Sequence, residues 1–309
     1  MIKNNIALNQ LVIRTPLLSF NEIEESQIYL KPENLQQFGS YKIRGVVSVI
    51  KNSEPLLLSK GLSAASAGNM GQAIAFVARQ LAIPCHIYVP DTTPQIKKDR
   101  IKKSGANLHE KPFEAIWQIV RGDISPSTES IFIHPVFSEA LLAGYEAIAY
   151  EIIEDLPDLD AIIIPFGVGG LSIAISRVIH QYNPKIAIYT CEPETAAPMY
   201  NSLRQGKPTS VSRIVSFVDA IGTPEVLPAV FQQLSPFLTD SIVVNLESVK
   251  QAVRTLLFNN KLLCEGASAC SLAAGLNILK EKKHRKIVCL LTGGNLAGEL
   301  LQELLASPV

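Results

Sequence analysis

The chain has 309 residues, 47% of them apolar, and 28 basic side chains balance 28 acidic ones. That length supports a full core and two domains, and zero net charge gives no general attraction for nucleic acid or anionic membranes. No apolar run approaches the roughly 18 residues of a membrane span, and Met1–Asn5 lacks the basic and apolar regions of a secretory leader.

The first helix signal follows Gly39-Ser40-Tyr41-Lys42, where Ile43, Val47 and Ile50 recur on one face. A second, carried by Ile74, Val77 and Leu81, follows the turn Ser66-Ala67-Gly68-Asn69. Cys85, Ile87 and Val89 then alternate with His86 and Tyr88, the period of a strand that stops at Pro90-Asp91. A helix is expected from Pro94 to Gly105. Its basic run, Lys97, Lys98, Arg100, Lys102 and Lys103, is expected to be a solvated face. Ala161-Ile162-Ile163-Ile164 reads as a strand covered on both sides, and Leu171, Ile175 and Val178 mark the helix after it. Further strands are expected at Ile186–Cys191 and Ile287–Leu291. After residue 206, Pro224, Pro228 and Pro236 interrupt any long periodic element.

This alternation predicts an α/β protein with mainly parallel sheets. Turns near residues 45 and 144 divide it into a large domain, 1–45 with 145–309, and a smaller domain, 46–144. The cysteines at 85, 191, 264, 270 and 289 have no CxxC spacing, so we expect buried free thiols in a reducing cytoplasm.

Four short motifs carry the chemistry, each individually weak. Gly167-Val168-Gly169-Gly170-Leu171 joins a buried strand to a helix, where backbone N–H groups and the helix start can surround a phosphate. No P-loop or dinucleotide fingerprint accompanies it, which disfavours a nucleotide. Lys42 opens a helix beside an aromatic residue, as an amine that forms a Schiff base would, although a lone lysine there is usually a solvated one. Ser66, Ala67, Asn69 and Gln72 form a turn able to hold a carboxylate or simply to cap a helix. Thr292 ends a buried strand before Gly293-Gly294-Asn295. Together they point to a covalently held, phosphorylated cofactor, and pyridoxal 5'-phosphate fits them best.

The ordered set resembles the fold-type II pyridoxal-phosphate enzymes, the tryptophan synthase β-like fold, and within them the serine/threonine dehydratase and serine racemase group. The likeness spans nearly the whole chain. It also takes in Thr15-Pro16-Leu17, Leu30-Lys31-Pro32-Glu33-Asn34, His134-Pro135, Cys191-Glu192-Pro193-Glu194 and Glu265-Gly266-Ala267-Ser268. The resemblance implies two open, twisted, mainly parallel sheet domains with the cofactor in the cleft between them, the smaller closing over the substrate. It implies that Lys42 carries the cofactor and moves the substrate's Cα proton, and that Tyr41 stacks on the ring. Asn69 would meet the ring's 3′ oxygen, Gly167, Val168, Gly169, Gly170 and Leu171 the phosphate, and Thr292 the pyridine nitrogen. Ser66, Ala67, Asn69 and Gln72 would bind the substrate carboxylate. A small amino acid is the expected partner, and a homodimer the expected assembly.

A hydroxyl at the ring nitrogen favours loss of a β-hydroxyl over transamination, so the implied reaction is dehydration and deamination of L-threonine, L-serine or a relative. Ala67 stands where related racemases have serine, which weighs against racemisation. Only 14 residues follow Asn295, so no C-terminal regulatory domain is expected. Several positions depart from the family pattern: Met70 for His, Val168 for Gly, Tyr145-Glu146-Ala147 for Gln-Gly-Thr, and Ala220 for Gly. Pro198 replaces the acid of cation-binding relatives, so no metal is expected. The competing readings are a non-catalytic cofactor-binding protein, a racemase, and a β-replacement enzyme of the cysteine-synthase kind.

Overall fold

The computed structural model describes residues 8–20, 27–126, 129–296 and 298–306; the leader reading on Met1–Asn5 lies outside them. In chain order come strands β1 (Leu18–Ser19) and β2 (Ile28–Pro32), then helices α1 (Lys42–Lys51) and α2 (Pro55–Ser59). There follow β3 (Leu62–Ala65), α3 (Asn69–Leu81), β4 (Cys85–Pro90), α4 (Gln95–Lys103), β5 (Asn107–Lys111), α5 (Phe113–Arg121) and β6 (Ile131–Phe132). Next are α6 (Glu139–Asp155), β7 (Ala161–Pro165), α7 (Gly170–Tyr182), β8 (Ala187–Pro193), α8 (Pro198–Gln205) and α9 (Pro228–Leu234). The chain ends with β9 (Asp240–Val244), α10 (Leu246–Phe258), α11 (Gly266–Lys280), β10 (Ile287–Leu291) and α12 (Gly298–Ala306).

These form two compact units. One groups the chain up to Ile13 with Gln36–Tyr145, the other Arg14–Leu35 with the chain from Glu146 onward. Residues 36–45 thus group with the Asn69 turn, whereas the sequence reading drew the division at 45. That division falls inside α1, a continuous helix that buries Ile43, Val46, Val47 and Ile50 and packs against α3.

The first unit holds a parallel sheet in the order β5-β4-β3-β6. Its β4 alternates buried and half-buried residues, as the sequence period required. Helix α4 follows Pro94 and ends before Gly105, whose φ of +86° is the left-handed turn that glycine tolerates. The basic run on α4 needs one correction: Lys98 is buried, not solvated. Its amine reaches Glu110 at 2.7 Å and the Asp91 carbonyl at 2.8 Å, because a four-carbon stem can bury itself while its charge finds a partner.

The second unit holds a six-stranded sheet in the order β1-β2-β10-β7-β8-β9, with β1 antiparallel and the rest parallel. Its inner strands β7 and β10 are buried at every residue, which explains their unbroken apolar runs. Helix α11 packs so closely on the sheet that a Cβ at Gly275 would stand 2.5 Å from Cys289 Sγ. All five cysteines are free and buried. No described helix is long and apolar enough to cross a membrane.

Candidate active site

In the first unit Lys42 is the opening residue of α1, and its amine donates to the Tyr41 hydroxyl. The same nitrogen lies 4.4 Å from the Tyr41 ring centroid. Tyr41 is buried, with its ring edge-on to that of Tyr145, centroids 4.8 Å apart. Ser66, Ala67 and Gly68 form the turn that leaves the carboxyl end of β3, and Asn69 opens α3. The N-cap is Gly68, with no side-chain cap, so neither Ser66 nor Asn69 plays that part. Ser66 Oγ instead accepts from the Gly68 N–H at 3.3 Å. The turn is tight: a Cβ at Gly71 would lie 2.1 Å from the Ser66 carbonyl oxygen. Gln72 is buried one turn on, while Ser66, Ala67 and Asn69 stay half-buried.

In the second unit Gly167–Gly169 link the carboxyl end of β7 to α7. Gly169 is the N-cap at φ +101°, and a Cβ there would stand 2.4 Å from Val230 Cγ1. No side chain caps α7, so its first N–H groups are left to a ligand or solvent. Ser172, in that first turn, buries a hydroxyl without a hydrogen-bond partner. Val168 is half-buried and has no positive φ, so its N–H remains usable. Thr292 leaves the carboxyl end of β10, the strand beside β7, so loop and hydroxyl emerge from the same edge of neighbouring parallel strands. Ligands of open α/β sheets bind at that edge.

Thr292 is fixed by a neighbour that the sequence did not single out as a site residue. Ser268 Oγ donates to the Gly293 carbonyl at 2.6 Å, accepts from the Gly293 N–H at 2.7 Å, and lies 3.3 Å from Thr292 Oγ1. The partner offered at Thr292 is therefore a neutral, held hydroxyl.

Other quoted motifs have structural work. Lys31 is buried, paired with Glu151 at 2.7 Å and with the Thr15 carbonyl at 2.7 Å, while the Thr15 hydroxyl donates to Glu33. His134 Nδ1 accepts the N–H groups of Val136 and Phe137, which assigns the ring proton to Nε2 facing the Val120 carbonyl. Burial also holds the His134 pKa below its usual value, keeping the ring neutral. Glu192 is buried and takes up the free N–H groups at the start of α8.

Each unit, taken by itself, offers groups that suit one part of a phosphorylated aldehyde cofactor. A glycine-lined, uncapped helix start lies beside a neutral hydroxyl in one unit, and an amine in an aromatic setting lies on the other. The comparisons agree. The family described as pyridoxal-phosphate dependent enzyme matches residues 8–293. The L-threonine ammonia-lyase of Thermotoga maritima is 32% identical over 307 residues, covering 96% of this chain and 75% of that protein. The serine racemase of Rattus norvegicus is 30% identical, covering 95% of this chain and 91% of its own. Among solved structures, the processed threonine deaminase isoform 2 of Solanum lycopersicum superposes with a TM-score of 0.83 at 26% identity, covering 98% of this chain and 90% of that one. The serine racemase of Dictyostelium discoideum does so with a TM-score of 0.82 at 30% identity, covering 94% and 95%.

Proposed function

The chain belongs to the pyridoxal-phosphate dependent enzymes, and from that premise we propose that it is an ammonia-lyase acting on L-threonine, L-serine or a related β-hydroxy amino acid. Its products are a 2-oxo acid and ammonia. Pyridoxal phosphate supplies an electron sink for the charge left when the substrate's Cα proton departs.

The chain's own residues do the rest. Lys42 Nζ holds the cofactor and takes the Cα proton. Tyr41 accepts a hydrogen bond from that amine and sets its direction. The N–H groups of Gly167–Leu171 bind the phosphate, aided by the positive end of α7. Asn69 orients the ring through its 3′ oxygen, and the turn Ser66-Ala67-Gly68-Asn69 with Gln72 binds the substrate carboxylate. Thr292 offers the ring nitrogen a hydroxyl, which does not enforce a positive charge there and so favours departure of the β-hydroxyl.

Ala67 carries the choice of lyase over racemase. It stands in the uncapped turn at α3 with a methyl group, which has no proton to return to Cα from the face opposite Lys42. We also propose a cytoplasmic homodimer; five free, buried thiols support the reducing compartment, and the assembly rests on the family resemblance alone.

The test is 2-oxo acid release by cofactor-loaded protein given L-threonine and L-serine separately, with chiral analysis of the remaining amino acid. Release that Lys42→Ala abolishes supports the reading. A D-amino acid as the main product would replace it with the racemase reading, and no reaction with either substrate would sink it.

A further inference from the structure

Two departures from the family pattern, Met70 and Tyr145, meet in the folded chain although 75 residues separate them. Tyr145 is the largest fully buried side chain among the described residues. Its hydroxyl donates to Met70 Sδ at 3.9 Å, a weak acceptor. Burial pushes the phenol well above its ordinary pKa, so it stays neutral. The ring packs edge-on against Tyr41 at 63°, and Lys42 Nζ lies 5.8 Å from its centroid. Gly45 makes room for the ring, since a Cβ there would stand 2.6 Å from Tyr145 Cε1, and Gly144 lets its helix approach α1, since a Cβ there would stand 2.5 Å from the Arg44 carbonyl oxygen.

We infer that Tyr145 is a positioning residue for Lys42, its ring acting through Tyr41. The inference rests on the proposed role of Lys42. A lysine has four rotatable side-chain bonds, and its amine transfers a proton efficiently only when aimed at the proton it takes. Tyr41 aims it by accepting its hydrogen bond, and Tyr145 holds the Tyr41 ring. A core filler would need only apolar volume at 145; a positioning residue needs an aromatic edge.

The experiment compares holoenzyme carrying Tyr145→Phe, which keeps the edge, with Tyr145→Leu, which keeps only apolar bulk. Tyr145→Phe should stay within about threefold of wild type in kcat, and Tyr145→Leu should lose about 10- to 100-fold with KM nearly unchanged. Tyr41→Leu combined with Tyr145→Leu should be no slower than Tyr41→Leu alone. Titrating cofactor-free protein with pyridoxal phosphate should show weaker binding for Tyr145→Leu and not for Tyr145→Phe. Equal behaviour of the two variants at equal melting temperature, or losses that multiply in the double variant, would overturn the inference. If Tyr145→Leu does not fold, Tyr145→Met serves in its place. A wild type that binds the cofactor but turns over neither amino acid sinks the proposed reaction, and the affinity comparison still judges Tyr145.

Discussion

The Ser241 hydroxyl donates to the carboxylate of Glu192 at 2.9 Å, across the seam between β9 and β8. The same carboxylate accepts the N–H groups of Met199 at 2.9 Å and Tyr200 at 2.8 Å. Helix α8 opens with Pro198 after Ala197, which has no side chain able to cap it. An acid from the preceding strand therefore caps the helix from outside, at the cost of burying a charge.

That burial makes stability depend on pH. It raises the Glu192 pKa to about 7, against the opposing pull of its three donors. The folded state then holds this proton more tightly than the unfolded chain, so the stabilisation is complete below about pH 4.5 and is lost as pH rises through 7. The size is on the order of 3 kcal/mol. Glu192→Gln cannot titrate and should be less stable at pH 5, with the gap narrowing or reversing by pH 8. Denaturant midpoints of both proteins at the two pH values check this; a gap independent of pH would refute it.

The loop of Gly167–Gly170, proposed above to bind the phosphate, distinguishes its glycines. A methyl at Gly169 would enter the left-handed region and strike Val230, whereas one at Gly167 would meet Ile221 at an ordinary 3.5 Å. Gly169→Ala should cost ~2 kcal/mol or more and weaken pyridoxal phosphate binding. Gly167→Ala should leave both nearly unchanged. Thermal melts and cofactor titration separate the two, and equal effects would show that the loop relaxes.

Ser268→Ala should cost ~1–3 kcal/mol, since it strands the buried Gly293 N–H, while the Gly293 carbonyl keeps the Glu265 N–H. Loss of its contact with Thr292 should also reduce kcat more than it raises KM. Unchanged kinetics in a destabilised variant would confine Ser268 to folding.

Ala67→Ser places a hydroxyl in the turn at α3. A slow release of D-amino acid, absent from wild type and below the lyase rate, is the expected outcome by chiral chromatography. Its absence would show that a hydroxyl at 67 is not enough to protonate the second face.

Much of the fold was legible from the chain alone. The period of Cys85–Val89, the apolar runs at 161–164 and 287–291, and the Pro94 and Gly105 boundaries each arise between residues close in sequence, where backbone sterics and burial pattern decide the element. Motif order likewise located Lys42, Asn69, the glycine loop and Thr292 at element junctions, where the structure has them. The rest depended on residues far apart. Lys98 looked solvated until Glu110 supplied its partner, and Glu192 became a helix cap only when α8 and Ser241 reached it. Tyr145 reads as unwanted bulk in the sequence, and only Met70, Tyr41 and Gly45 make its pocket. Local periodicity and turn chemistry are written between near neighbours, so sequence determined them. Hydrogen-bond partners and packing between residues of different elements exist only once the chain closes on itself, and there the tertiary structure decided.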